Sequence, residues 1–163
     1  MIEIIKKLMP LNRSLMGEGN LKTLKILKTY NKNLQIKSFR SNEKFYDWKI
    51  PNEWIVKDAY IITPENNKIC DFKKNNLHLL GYSTKIKKKI DLKQLQKNLF
   101  SNKSVPEAIP YVTSYYKKNW GFCIKHSERK KLSDGKYQVF INTEFKKGKM
   151  YYGEILIKGK LKK

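Results

Sequence analysis

The first thirty residues carry two helical patterns of hydrophobic positions, separated by a loop. Residues 1–9 place apolar side chains near helical spacing, and Pro10 ends that turn because proline cannot continue a helix. After a loop that contains two glycines, residues 20–30 again place apolar side chains on one face. The pattern predicts a short helix followed by an amphipathic helix that packs against a sheet. The apolar face of the second helix comprises Leu21, Leu24, Ile26 and Leu27.

From residue 34 onward the hydrophobic period changes from that of helices to that of strands. Residues 34–39 alternate between apolar and polar side chains, and residues 59–63 are rich in β-branched and aromatic types. The pair Asn66-Asn67 between two such segments predicts a tight hairpin turn. The basic run Lys85–Lys89 interrupts the pattern, and we expect it to form an exposed loop.

One more helix and several strands are predicted in the second half of the chain. Asp91 is a favourable N-cap for residues 92–100, whose leucines fall on one side of a helix. Residues 154–157 (EILI) have the composition of a buried strand, and only six residues follow them. A buried strand normally leads into another element, so this position predicts either an edge strand or a chain cut inside a larger fold. Together the patterns predict an α+β fold. The remaining predicted strands are WGFCIK (120–125), KYQVFINT (136–143) and MYYGEILIKG (150–159).

The composition adds a large positive charge to this outline. The formal net charge is +22, and only three of the 36 basic residues are Arg. Arg is the residue that makes bidentate contacts to phosphate and guanine, so a nucleic-acid partner is disfavoured. The abundance of Lys, Ile and Asn is typical of an AT-rich genome, and lysines in every segment indicate solvated faces. The charge still predicts salt-dependent binding to polyanions.

Two aromatic clusters supply the candidate binding residues. Residues 109–126 contain five aromatic side chains, and a second cluster carries two tryptophans around Pro51. Tyrosine and tryptophan bury large apolar areas but need a partner for their polar tips, which suits the core of a β-sandwich or the rim of a ligand groove. Both interpretations remain open. The candidate ligand-binding residues are Trp48, Trp54, His78, Tyr115, Tyr116, Trp120 and His126.

The sequence offers few residues for metal or nucleophilic chemistry. His78 and His126 are the only histidines, and Cys70 and Cys123 are the only cysteines. A zinc site needs several such ligands to converge, so we predict no metal site and no catalytic residue in this chain. On a strand, positions three apart point to opposite faces, which separates Cys123 from His126. The two cysteines lack CxxC spacing and the sequence shows no secretory signal, so we predict a cytoplasmic protein. We also predict no membrane partner, because no apolar run reaches transmembrane length.

Five segments of the chain resemble, in order, the N-terminal half of a bacterial family of aminopeptidase-like proteins. The resemblance implies zinc-dependent aminopeptidases of the α/β type, with an inserted, mostly β domain of unknown function. That inserted domain has been proposed to be a ligand-binding or regulatory module. Genes of the family often occur among polysaccharide-biosynthesis genes. The segments are PLNRSLMGEG, FYDWKIPNEWIVKDAYI, DFKKNNLHLLGYS, IPYVTSYYKKNWGFCIKH and YYGEILIKG.

The resemblance also implies how the chain is divided. Residues 1–38 correspond to the N-terminal helices of the aminopeptidase-like domain, 40–127 to the inserted β domain, and 135–163 to returning strands of an incomplete α/β domain. In the family, a Cys-His-Pro string and an Asn-Asp-Asn segment that bind the metal follow the strand equivalent to YYGEILIKG, and neither occurs in this sequence. The resemblance therefore implies zinc for the full-length family but no zinc ligand here, and a truncated chain that is inactive as a peptidase on its own.

Three functional hypotheses follow. The first is a non-catalytic N-terminal portion of an aminopeptidase-like protein, whose β domain binds a peptide or carbohydrate-related ligand and whose catalytic half could lie on a separate chain. The second is a basic module that binds nucleic acid or an anionic glycan through lysines and aromatic rings. The third is a complete zinc hydrolase that uses His78 and His126.

Overall fold

The computed structural model of the chain describes residues 2–159, which form four α-helices and ten strands. This mixed architecture confirms the predicted α+β class. The helices are α1 (Ile2–Leu8), α2 (Glu18–Tyr30), α3 (Leu92–Gln96) and α4 (His126–Arg129). The strands are β1 (Gln35–Arg40), β2 (Lys44–Phe45), β3 (Trp48–Lys49), β4 (Glu53–Ile62), β5 (Lys68–Ile69), β6 (Ile86–Asp91), β7 (Leu99–Phe100), β8 (Phe122–Cys123), β9 (Lys136–Lys146) and β10 (Lys149–Glu154).

The chain divides into two compact units. The first unit contains residues 1–54 and 145–163, and the second contains residues 55–144. The two chain crossings between them fall within β4 and β9. The domain boundaries that the resemblance implied, near residues 40 and 127, stay a prediction.

The first unit is built on an antiparallel pair of strands and the helix that covers it. Strands β1 and β10 pair along six residues each, and α2 packs on both strands. Gly153 of β10 permits this close approach, because a Cβ there would lie 2.8 Å from Leu34 and 3.0 Å from Leu24. The predicted docking of an amphipathic helix on a sheet is therefore confirmed. Strands β2 and β3 form a separate short hairpin.

The second unit is organised around a four-stranded sheet in the order β5-β4-β9-β6. Alternate residues of β4 and β9 are buried, which defines an inner face toward the core. The predicted Asn66-Asn67 turn is confirmed, since it joins the antiparallel strands β4 and β5 and Asn66 adopts a left-handed backbone with φ of 64°. The buried inner-face residues are Ala59, Ile61, Tyr137, Val139, Ile141 and Thr143.

The third helix begins where its N-cap signal predicts but ends early. The Asp91 side chain accepts a hydrogen bond from the Gln94 N–H at 2.7 Å, and the Gln94 side chain completes a capping box. The helix stops at Gln96, and Leu99 instead starts β7, which pairs in parallel with β8. In that pairing Leu99 lies opposite Phe122 and Phe100 opposite Cys123, so only these two residues of the predicted strand 120–125 form a strand.

Two sequence predictions are wrong. The basic run Lys85–Lys89 is not a loop, because residues from Ile86 onward form β6 and pair with β9, which places Ile90 opposite Tyr137 at the core. The segment 154–157 is not a buried strand, because β10 ends at Glu154 and the next three apolar side chains are exposed. These exposed residues are Ile155, Leu156 and Ile157.

Candidate functional site

The candidate site starts from a strained turn in the second unit. Tyr82 has a φ of 63°, a left-handed backbone that a bulky residue adopts only under constraint from its surroundings. The next residue, Ser83, is fully buried, and its hydroxyl donates to the Leu80 carbonyl at 2.7 Å and accepts from the Gly121 N–H at 3.2 Å. The Ser83 carbonyl accepts from the Thr143 hydroxyl at 2.9 Å. These bonds fix the turn against the inner face of the sheet.

The same turn holds the aromatic loop that follows residue 110. The Gly81 N–H donates to the Val112 carbonyl at 2.9 Å, and the Gly81 carbonyl accepts from both the N–H and the hydroxyl of Ser114. A Cβ at Gly81 would lie 3.0 Å from the Thr113 hydroxyl oxygen, so a side chain there would push the loop away. The loop is therefore held by backbone contacts before any ligand arrives.

Three tyrosine rings meet where the turn and the loop touch. The Tyr115 ring lies edge-on to Tyr82, with centroids 5.1 Å apart, and edge-on to Tyr116, with centroids 4.5 Å apart. Tyr82 is buried and Tyr116 is 88% exposed, so the stack runs from the core to the solvent. The left-handed backbone of Tyr82 thus directs its ring beneath the loop.

Tyr115 and Tyr116 line a recess of about 340 Å³, which we call the tyrosine recess. Its volume is at the lower end of the ~300–1,000 Å³ typical of small-molecule sites, and its lining combines apolar walls with a few hydroxyl, amide and ammonium groups. It can accept a ligand of one or two small rings. The lining residues are Leu80, Phe100, Val112, Thr113, Ser114, Tyr115, Tyr116, Lys117 and Asn119.

The structure brings together two of the seven predicted ligand-binding residues, Tyr115 and Tyr116. Trp120 follows the recess, where its carbonyl accepts from the Asn98 amide at 2.7 Å. Trp48 lies in the β2–β3 hairpin, and Trp54 is buried at the start of β4. Both of these tryptophans belong to the first unit, whereas the recess belongs to the second.

The two histidines make separate hydrogen bonds. His78 ends a 3₁₀ turn, and its Nδ1 lies 2.8 Å from the Cys123 carbonyl oxygen, so this nitrogen carries the proton. His126 begins α4, and its Nδ1 lies 3.0 Å from the Ser101 hydroxyl, which also accepts from Arg129. Partial burial, reinforced by Lys130, Lys103 and Arg129, lowers the pKa of His126 and favours its neutral form.

The two cysteines are core residues rather than nucleophiles. Cys123 is fully buried in β8, and burial raises the pKa of its thiol to about 11. Burial also raises the pKa of the Cys70 thiol. Both thiols stay protonated near neutral pH, and the thiol form is the unreactive one. The predicted reason for the separation of Cys123 and His126, alternation along one strand, is wrong. His126 begins helix α4 and does not lie on a strand.

Within residues 2–159, no three His, Cys, Asp or Glu side chains converge to hold a metal ion. In the same part of the chain, no helix has both the length and the apolar composition needed to cross a bilayer.

Sequence reasoning missed Tyr82, whose ring contacts Tyr115, and two of the residues that line the recess. Tyr82 gave no signal, because a left-handed tyrosine follows from tertiary contacts and not from local propensity. Phe100 and Asn119 gave none either, since each is an ordinary residue in its own segment. The density of aromatic residues in 109–126 was the one signal that pointed to the recess.

Comparison with known proteins gives three matches. Residues 53–144 match the family model described as "Domain of unknown function (DUF2172)". A protein from Clostridium acetobutylicum named "Putative polysaccharide biosynthesis protein with aminopeptidase-like domain" is 39% identical over 158 residues, which cover 97% of this chain and 36% of the relative. A crystal structure of a protein called a "putative peptidase" from the same organism has a TM-score of 0.88 and 38% identity, and the match covers 98% of this chain and 37% of that one.

These matches confirm the resemblance to aminopeptidase-like proteins and the presence of a domain of unknown function. The chain spans 36% and 37% of the length of the two relatives. The zinc dependence and the truncation that the resemblance implied stay predictions.

Proposed function

The chain belongs to the family described as "Domain of unknown function (DUF2172)", and from that premise we propose that it is the ligand-binding, non-catalytic part of an aminopeptidase-like protein. In this proposal the tyrosine recess binds a small carbohydrate-related or peptide ligand. The observation that carries the proposal is the strained turn at Tyr82, which holds the Tyr115 and Tyr116 rings at the mouth of a recess of about 340 Å³.

A carbohydrate-related ligand is the preferred class. The recess offers aromatic rings for an apolar ring face and hydroxyl groups from Thr113 and Ser114 at its edge. The C. acetobutylicum relative is named for polysaccharide biosynthesis, which supports the same class. A short peptide is the second candidate, because the other relative is named as a peptidase.

The non-catalytic part of the proposal rests on the chemistry of the available side chains. Zinc is the metal that the resemblance implies, and the His, Cys, Asp and Glu residues of 2–159 form no donor set for it. Both thiols are buried and protonated, and the His126 imidazole bonds to Ser101 without an acidic partner in that contact. We therefore assign no peptidase step to this chain.

Calorimetric titration of the full chain with chitobiose, cellobiose and Leu-Gly-Gly tests the binding. We expect saturable binding of at least one probe, and a loss of about fivefold to tenfold in affinity in Tyr116→Ala, since an aromatic contact to the ligand is worth about 1 to 1.4 kcal/mol. The matched control is Tyr111→Ala, because Tyr111 is 72% exposed in the same segment but does not line the recess. This control should bind like the parent chain.

Failure of either the binding or the non-catalytic part would overturn the proposal. The binding part fails if no probe saturates, or if Tyr111→Ala and Tyr116→Ala lose affinity alike. The non-catalytic part fails if the purified chain with added zinc hydrolyses leucine p-nitroanilide.

A further inference from the structure

A second surface with its own chemistry lies on the outer face of the four-stranded sheet. In β9, Gln138 and Phe140 alternate with the buried residues and therefore point away from the core. In β4, Tyr60 does the same, and its ring lies 5.0 Å from the Phe140 ring at an interplanar angle of 33°. These residues form the floor of an open recess of about 730 Å³. We call this surface the outer sheet face.

Part of the charge on this surface is compensated within the chain. The Lys68 ammonium lies 4.4 Å from the centre of the Tyr60 ring and forms an ion pair with Asp71 at 2.9 Å. Asp58, whose side chain lines the recess, is paired with Lys73 at 3.2 Å. Neither carboxylate is therefore left to repel an anionic ligand.

Two lysines of β6 leave a net positive charge beside the aromatic floor. Lys87 is the register partner of Phe140, and Lys89 is the register partner of Gln138, so both belong to the outer face. Both side chains are exposed, and neither has a carboxylate partner among residues 2–159. They are positioned to meet anionic groups of a ligand that lies against the Phe140 ring and beside Tyr60.

A simpler role for these lysines accounts for only part of the arrangement. Strand β6 is at the edge of the sheet, and lysines on an edge strand deter pairing with other chains. That role requires charge along the edge, but it requires neither aromatic rings on the neighbouring strands nor a recess that joins them to the lysines. The combination is typical of a surface that binds a charged ligand carrying apolar faces.

We propose that the outer sheet face, through Lys87, Lys89, Tyr60 and Phe140, binds an acidic polysaccharide. Lysine offers a compact point charge that pairs with the carboxylates of such a chain, and the residues that line the face include no arginine, the residue that most often reads nucleic-acid bases. The Lys68 ammonium covers the Tyr60 ring, and the tilt of the two rings leaves no parallel platform for successive bases. The Phe140 ring and the lysine methylenes remain, and they offer apolar surface to the apolar faces of sugars. This inference is independent of the tyrosine recess.

Titration of the full chain with an oligogalacturonate, a neutral dextran oligomer and an oligothymidylate tests the inference. We expect the oligogalacturonate to bind most tightly, and its affinity to fall as salt rises from about 50 to 200 mM. The double variant Lys87→Glu/Lys89→Glu should lose at least about tenfold, because two attractive contacts become repulsive. Phe140→Leu, which keeps an apolar side chain but removes the ring, should lose about threefold or more.

The matched control is Lys130→Glu/Lys131→Glu, which changes the net charge equally at exposed residues away from the sheet. This variant should keep most of the affinity, and Tyr111→Ala, which changes an exposed ring that lines neither recess, should leave it unchanged. An equal loss in both lysine pairs would show unspecific attraction to the whole chain and would overturn the proposal. Tighter binding of the oligothymidylate would assign the face to nucleic acid instead. No binding of the oligogalacturonate at low salt would also refute it.

Discussion

Tyr82 combines a buried aromatic ring with a left-handed backbone, two properties that favour different residues. Its φ is 63°, and its side chain is only 9% exposed. Tyr82→Ala keeps the backbone penalty and loses the ring, so we expect a loss of about 3–5 kcal/mol in the free energy of unfolding. Tyr82→Gly also loses the ring but removes a penalty of about 1–2 kcal/mol. The glycine variant should therefore be the more stable of the two in urea unfolding.

The exposed residue Gln138 in β9 provides the matched comparison. This strand position has no positive φ, so glycine there should be less stable than alanine by about 0.5–1 kcal/mol. The order of the two variants should thus reverse between Gln138 and Tyr82. If glycine is the weaker variant at both positions, the turn stores no backbone strain, and the support for a pre-formed tyrosine recess is lost.

At the scale of elements, the packing of α2 depends on a glycine inside the helix. Alanine normally stabilises a helix relative to glycine by about 1 kcal/mol. A Cβ at Gly19, however, would overlap the carbonyl oxygen of Asn12 in the preceding loop, and a backbone atom cannot move aside cheaply. We expect Gly19→Ala to lower the free energy of unfolding by about 1–3 kcal/mol, measured by circular dichroism during urea unfolding.

An exposed position of the same helix provides the control for that measurement. Lys25→Ala adds no atoms and should leave the stability within about 0.5 kcal/mol of the parent chain. A Gly19→Ala variant that is more stable than the parent would mean that the loop before α2 does not pack against the helix.

The elements that the sequence predicted correctly are those with local signals. Pro10 ends α1, and the Asp91 cap begins α3, because each acts through its own backbone neighbours. Strand β6 could not be recognised, since its lysines conceal the fact that Ile86 and Ile90 lie on one face and that pairing with β9 imposes the strand. Local signals act within a few residues, whereas strand pairing joins residues about fifty positions apart.

In the candidate site too, the sequence indicated the residues with local signals and not those brought together by contacts between distant segments. Aromatic density identified Tyr115 and Tyr116, because rings gathered in one segment remain neighbours in the fold. Tyr82 and the Lys87–Phe140 pair were not predictable, since each depends on contacts between distant segments. The grouping of tryptophans with these residues stays a prediction, with Trp48 and Trp54 in one unit and Trp120 in the other.

For the whole molecule, two independent observations place a domain at nearly the same residues. The family model matches 53–144, and the second compact unit comprises 55–144. Strand β9 belongs to this second unit because it lies between β4 and β6 and contributes Tyr137, Val139 and Ile141 to the core. A fragment without β9 loses the strand that joins the two sides of its sheet.

Two fragments test where the domain ends. Fragment 53–146 keeps β4 and β9 whole, and we expect cooperative urea unfolding followed by tryptophan fluorescence, with dispersed amide resonances. Fragment 40–127, which follows the boundaries implied by the resemblance, should give no cooperative transition, because β4 and β6 lose the strand that lies between them and the core loses its buried side chains. Cooperative folding of 40–127 would mean that β9 belongs to the neighbouring unit. Failure of 53–146 to fold would mean that the domain depends on residues outside the family match.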